Sequence, residues 1–317
     1  MQRVQVELLP VAPYNFDQAL TYLRTSPSAV LENISEDGTY CRAVTINGSD
    51  MLISIRSTGT VEVPHLTLEI YGRQVNSVAT AHVAQLVRRI FSLDEDLALF
   101  KASCSQDLVF RNLLERFYGL RPVLIADPYE SLLWAIIGQQ INVAFAYKLK
   151  LALVNLCGQR LCVGNREYPI LPRVQDVAAL DKQMLRACQF SSQKATYLIS
   201  LSRAVESGRL NLEALRTLPY DEAMATLTGF KGVGRWTAEY VLMRGLGAPD
   251  IIPAADLGLR AIIGRAYGLG RTASEVEVRS LAEAWSNWRG WASFYWWLEL
   301  QLEKCMETHG FINSSNI

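Results

Sequence analysis

Residues 231–256 read KGVGRWTAEYVLMRGLGAPDIIPAAD. Together with the preceding DEAMATLTGF (221–230), they spell a helix, a short turn, a second helix and a loop. One carboxylate, Asp256, then stands ahead of LGLRAIIGRAYG, a further helical run. Gly232 and Gly234 can adopt a positive φ or admit another backbone at close range. Gly234 leads directly into the second helix, whose first amides have no intrahelical partners and can donate to a phosphate. Lys231 and Arg235 flank that point and make the region locally basic. Taken alone, the G-x-G spacing also fits an ordinary αα-hairpin, and Asp256 also fits a helix N-cap.

The rest of the chain bounds what such a hairpin can serve. Its 317 residues are half apolar, enough for two or three domains with substantial cores. A mean hydropathy of +0.10 argues against wholesale disorder. The formal charge is zero and the pI is about 6.8, which is not the usual footprint of a nucleic-acid binder. Any such binding must use a small local patch and helix N-termini. The start, MQRVQVELLP, has no apolar core ahead of a cleavage site, and no apolar run reaches the roughly 18 residues of a membrane span. The expectation is a soluble intracellular protein.

Cys41, Cys104, Cys157, Cys162, Cys188 and Cys305 form no C-x-x-C, so neither a zinc nor an iron–sulfur site is indicated. They read as buried free thiols. His65, His82 and His309 are scattered, and a histidine-based metal site or triad would have to assemble from distant pieces.

Residues 1 to about 92 read as α+β. Val4, Val6 and Leu8 alternate with polar residues, as on a half-buried strand. FDQALTYL suggests a helix; TYCRAVTI, MLISIRS and VEVPHLTLEIYG suggest strands, with the hairpin signal Asn47-Gly48 between the first two. Residues 76–92 suggest a helix on that sheet. From about residue 93 onward the pattern is helical. DPYESLLWAIIG opens with an Asp127 N-cap, Pro128 at the first helical position and Glu130 as a capping-box acid. GQQIN (138–142) predicts a break between two helices, and CGQRLCVGNREYPILPR (157–173) predicts a loop.

Three stretches go beyond spacing. LTGFKGVGRWTAEY (227–240) followed by Asp256, IIGQQINVAFAYKL (136–149), and WSNWRGWASFYWW (285–297) occur in that order. They resemble the three signatures of the helix-hairpin-helix DNA glycosylase superfamily, over about residues 110–300. The N-terminal α+β domain resembles the 3-methyladenine DNA glycosylase II branch, which has a sheet domain and no iron–sulfur cluster. The resemblance implies an antiparallel-sheet domain (1–92) followed by a mostly α-helical core of two subdomains. One is formed by 93–122 with 245–317 and carries Asp256; the other, 123–244, ends in the hairpin.

The resemblance also implies a function: a monomeric, monofunctional glycosylase, working with DNA in the cytoplasm or bacterial nucleoid, that flips alkylated purines out of double-stranded DNA and hydrolyses their N-glycosidic bonds. Asp256 matches the catalytic carboxylate. Trp236, Tyr240 and Trp297 match the base pocket, and Lys231, Gly232, Gly234, Arg235 and Thr237 match the DNA-binding hairpin. Gln140 stands where the family places a gap-filling residue, often Leu, so either Gln140 or Ile141 is the candidate wedge. Bifunctional relatives carry a lysine nucleophile where this chain has Trp236, which implies hydrolysis without strand cleavage. No cofactor is required by the resemblance. A structural Na⁺ or K⁺ held by the carbonyls of Thr228, Phe230 and Val233 is implied as an option. Two rivals stand beside this reading: a glycosylase/lyase for oxidised purines using a lysine elsewhere, and a non-enzymatic DNA-binding module using only the hairpin.

Overall fold

A computed structural model describes residues 1–26 and 29–313, with side chains described up to residue 307. The chain opens with β1 (Gln2–Leu8), α1 (Phe16–Thr25) and the short β2 (Asn33–Ile34). β3 (Tyr40–Ile46), β4 (Ser49–Ser57), β5 (Leu66–Gly72) and α2 (Ser77–Ile90) follow. The five strands form one antiparallel sheet in the order β1-β5-β4-β3-β2. Asn47 and Gly48, both at positive φ (51° and 75°), make the tight turn between β3 and β4, as the dipeptide predicts. Asn15 and Asn76 cap the two helices by accepting from Gln18 and Ala79 amides. The last predicted strand is shorter than its apolar pattern: Pro64 cannot donate to a ladder, and residues 58–65 close instead through Thr58 N–H to the His65 carbonyl at 2.8 Å.

The helical part comprises α3 (Leu97–Cys104), α4 (Leu108–Arg116), α5 (Pro128–Gly138) and α6 (Val143–Cys157). After them come β6 (Arg160–Val163), β7 (Arg166–Pro169), α7 (Val174–Ala178), α8 (Lys182–Ala187) and α9 (Ser192–Glu206). The chain ends with α10 (Tyr220–Thr228), α11 (Arg235–Tyr240), α12 (Leu257–Ala266), α13 (Glu275–Leu281) and α14 (Arg289–Asn313). Among the described residues no helix is long and apolar enough to cross a membrane.

Two expectations need correction. Residues 157–173 are not simply a loop, because β6 and β7 pair around Gly164 (φ 59°). Tyr168 and Ile170 then bury against Ala43 and Leu52 of the large sheet. Glu130 is not a capping-box acid. Asp127 alone caps α5, accepting from the Tyr129 amide at 2.7 Å. Glu130 instead turns into the protein, 1% exposed, where it pairs with Arg42 of β3 and with Lys150 of α6, the latter at 2.6 Å. Two buried cations outcompete a backbone amide for one carboxylate.

Buried side chains fall into two main clusters. One runs without interruption from the sheet (Ile53, Ile55, Leu68, Ile70) through Phe100 and Phe110 to Trp285, Phe294 and Trp296. The other joins α5, α9 and the hairpin through Leu132, Ile136, Leu198, Leu227 and Ala238. Trp297 packs against both, so the face between them is where residues distant in sequence meet.

Candidate active site

The hairpin is built by α10, a six-residue turn (229–234) and α11. Gly229 and Phe230 amides donate back to the carbonyls of Ala225 and Leu227 at 3.1 and 3.2 Å, and Val233 N–H closes onto Phe230 at 3.0 Å. Gly232 has φ +98°, and a Cβ there would stand 2.5 Å from the Tyr197 ring, so only glycine fits. Gly234 is different: its φ of −89° is ordinary, and a Cβ would meet nothing within 4 Å. What Gly234 provides is open space at the N-cap of α11. The amides of Gly234, Arg235, Trp236 and Thr237 donate to no other group among the described residues, and they line that opening.

The side chains around the opening are unequal. Lys231 is exposed. Arg235 is also exposed, but its Nε donates to Glu239 at 3.0 Å, a fully buried carboxylate that also accepts from Arg279 at 2.9 Å. Thr237 is 2% exposed and its hydroxyl accepts from Gln139 Nε2 at 3.0 Å. Only its backbone amide can face a phosphate. The carbonyls of Thr228 and Val233 receive no backbone donor among the described residues, and that of Phe230 receives one. All three keep a lone pair free, Thr228 at the C-terminal end of α10, where the helix dipole is negative, and Phe230 and Val233 in the turn that follows, so the donor chemistry fits a monovalent cation.

Asp256 caps α12: its Oδ1 accepts from the Leu259 amide at 2.8 Å. The same oxygen accepts from Trp297 Nε1 at 3.2 Å, and Oδ2 accepts from Trp236 Nε1 at 3.2 Å. Asp256 is half-buried and forms no ion pair among the described residues. Its nearest sequence rival, Asp250, is held by Arg289 at 2.7 Å. The Tyr240 ring lies between the two indoles, with centroids 5.5 Å from Trp236 and 5.9 Å from Trp297. Burial keeps the Tyr240 hydroxyl protonated well above its ordinary range. Thus the fold brings together four residues from three helices, and each indole donates its N–H to the carboxylate while the residue stays half-buried. Of the other aromatics in 285–297, Trp285, Trp291, Phe294, Tyr295 and Trp296 are 5% exposed or less and belong to the core, and Trp288 packs half-buried against it.

The junction between α5 and α6 holds the two wedge candidates. Gln140 is exposed and sits in the left-handed region at φ 54°, uncommon for a residue with a side chain. Ile141 is half-buried and packs against the second core cluster. Gln139, just before them, was not marked in the sequence. Its Nε2 donates to the Gly232 carbonyl at 2.8 Å as well as to Thr237. Being the first glutamine of the Gln-Gln pair was the only available signal. Arg244 is 2% exposed, donates to the Tyr22 hydroxyl at 2.6 Å and lies beside the Tyr240 hydroxyl.

A cavity of about 670 Å³ lies elsewhere, between Leu218, Tyr220, Leu246, Ile252 and Arg289. It includes neither Asp256 nor either indole, and the convergence of donors, rather than cavity size, marks the site. Among the described residues no three His, Cys, Asp or Glu side chains converge to hold a metal; the His309 side chain lies outside the described residues. Cys41, Cys104, Cys157, Cys162 and Cys188 are free thiols, but only Cys104 of these is fully buried, and Cys162 is exposed on β6.

Residues 133–287 match the HhH-GPD superfamily base excision DNA repair protein family, and residues 5–124 match the AlkA N-terminal domain. The chain is 32% identical over 225 residues to DNA-3-methyladenine glycosylase of Bacillus subtilis, covering 71% of this chain and 74% of that protein. It is 30% identical over 292 residues to DNA-3-methyladenine glycosylase 2 of Escherichia coli, covering 90% and 94%. Among solved structures, a 3-methyladenine DNA glycosylase from Archaeoglobus fulgidus superposes with a TM-score of 0.80 at 26% identity, over 95% of this chain and 99% of that one.

Proposed function

This chain belongs to the HhH-GPD superfamily of base excision DNA repair proteins, and from that membership and the site geometry we infer its reaction. It is a DNA glycosylase of the 3-methyladenine glycosylase II type, which removes alkylated purines in base excision repair. Acting as a monomer on double-stranded DNA, it grips the backbone with the free amides of residues 234–237, assisted by Lys231 and the outer edge of Arg235. A Na⁺ or K⁺ on the carbonyls of Thr228, Phe230 and Val233 would add positive charge there. The target nucleotide leaves the stack, and Gln140 fills the gap.

The observation that carries the chemistry is the Asp256 carboxylate: three neutral N–H groups orient it and, among the described residues, no cation pairs with it. Beside C1′ it stabilises the oxocarbenium character that develops as the N-glycosidic bond breaks, and it orients the attacking water. The faces of Trp236 and Trp297, with Tyr240 behind them, receive the extruded base. A purine alkylated on a ring nitrogen is cationic, gains a cation–π attraction of about 0.5–2 kcal/mol, and departs without a general acid. Trp236 occupies the position where a Schiff-base lysine would stand, so the strand is left intact.

Base release from duplexes that each carry one defined lesion, with borohydride present in parallel, tests this. The expected result is free 3-methyladenine or 7-methylguanine, an intact abasic strand and no covalent adduct. Adduct formation with 8-oxoguanine excision would instead establish a lyase, and binding without release of any base would establish a DNA-binding module.

A further inference from the structure

We propose that Gln139 is a positioning residue that couples the gap-filling turn to the phosphate-gripping hairpin, so that backbone anchoring and base extrusion occur as one event. The proposal deepens the glycosylase reading above and rests on it. Gln139 terminates α5 and precedes Gln140, the left-handed residue at the tip of the turn. Its amide nitrogen donates to two hairpin acceptors, the Gly232 carbonyl at 2.8 Å and the Thr237 hydroxyl at 3.0 Å. The orientation of that amide is fixed by chemistry, since the Gly232 carbonyl can only accept. Among the described residues, these are the hydrogen bonds that join residues 139–142 to the hairpin.

Helix α9 completes a triangle. Its buried Lys194 donates to the Ile137 carbonyl at 2.7 Å and so holds the end of α5 from which Gln139 departs. One turn later, Tyr197 packs its ring over Gly232 so closely that no side chain fits there. Lys194 therefore fixes one partner, Tyr197 fixes the other, and Gln139 closes the gap between them. A left-handed non-glycine residue persists only where its surroundings over-determine it, and the Gln139 contacts supply that determination one residue away from Gln140. Extruding a base costs unstacking and unpairing energy, which pushes back on whatever fills the gap. A turn tied to the hairpin transmits that load to the phosphate grip; an untied turn yields.

The test compares two substrates. In one the alkylated purine is paired in duplex DNA; in the other it lies opposite an abasic nucleotide, where little pairing must be broken. Gln139→Met keeps the side-chain length and removes the donor. Single-turnover excision of the paired lesion is expected to fall about ten- to thirtyfold, the equivalent of two neutral hydrogen bonds. Excision of the lesion opposite the abasic nucleotide should change less than about twofold. An adjacent 2-aminopurine should report a matching loss of extrusion on the paired substrate. Equal losses on both substrates, or no loss on either, overturn the proposal. Where the Met variant melts early, Gln139→Ala supplies the same comparison, because it removes the donor without leaving an apolar tip at the half-exposed Gly232. Wild-type protein that released no base from either substrate would instead refute the glycosylase reading itself.

Discussion

Glu130 and Asp256 look alike in sequence, each an acid in the opening turn of a helix, and the fold gives them opposite company. Glu130 is buried and answers two cations, Arg42 and Lys150. Asp256 is half-buried and answers three neutral donors, two indoles and one amide. Both are fixed in place, but the electrostatic results differ. Cations beside Glu130 cancel its charge, and together with Glu32, which also pairs with Arg42, they make a neutral clamp that joins β3, α5 and α6. Neutral N–H groups orient Asp256 without cancelling it, so its full negative charge is available to a cation that develops nearby. A carboxylate meant to stabilise an oxocarbenium ion must be held in the second way, and one meant to join domains can be held in the first.

The strongest test of that contrast is Asp256→Asn. Asn caps a helix as well as Asp, so the melting temperature should barely move. Single-turnover excision should fall by about three orders of magnitude or more, roughly 4 kcal/mol of transition-state stabilisation. Near-normal turnover would sink the assignment of Asp256. Glu130→Gln should do the reverse. Breaking a buried ion pair from one side costs about 3–5 kcal/mol of stability, read from urea unfolding, while excision per folded molecule should stay within about twofold. If instead activity collapsed at unchanged stability, the division between clamp and reactive carboxylate would be wrong.

How much of this the sequence revealed depended on how local the cause was. The Asn47-Gly48 turn, the Asp127 cap and the break at GQQIN are set by neighbouring residues and were readable. The hairpin 160–169 was hidden because its strands are four residues long and their burial comes from Ala43 and Leu52, far away in the chain. Glu130 was misread for the same reason: Arg42 lies 88 positions away, and no periodicity announces it. The grouping of Trp236, Asp256 and Trp297 was legible only through family resemblance, since nothing in their spacing requires both indoles to reach one carboxylate. One missed feature was available locally, for Arg235 and Glu239 stand at i and i+4 on one helix face.

A smaller effect follows from titration. Burial alone would raise the Glu130 pKa, but Arg42 and Lys150 overcome it and hold the carboxyl at about 2, against an ordinary 4.5. The clamp therefore contributes fully above about pH 4.5 and is lost as pH falls toward 2. The stability gap between wild type and Glu130→Gln should be wide at pH 6, narrower at pH 3.5, and nearly closed close to pH 2. A gap independent of pH would mean that the Gln variant loses packing rather than charge pairing.

The finest distinction lies within the Asp256 cage, where the proposed reaction gives Trp236 two jobs that substitution can separate. Its indole N–H orients the carboxylate, and its face is available to the extruded base. Trp236→Phe keeps an aromatic face and removes the donor. The lost bond goes to an ionised acceptor, worth about 1.5–3 kcal/mol, and its loss should slow every lesion by the same factor because Asp256 acts on the sugar. Trp236→Leu removes the face as well. A cationic lesion such as 3-methyladenine should then lose a further 0.5–2 kcal/mol or so relative to neutral hypoxanthine, roughly a factor of 2 to 30 in rate. Cationic bases also depart faster without enzyme, so the informative quantity is the mutant-to-wild-type ratio for each lesion. A Phe variant that discriminates between lesions would break the separation, because the hydrogen bond would then be sensing the base. Equal ratios for the Leu variant would mean that the indole face only shapes the cavity, and that leaving-group lability alone sets which bases are removed.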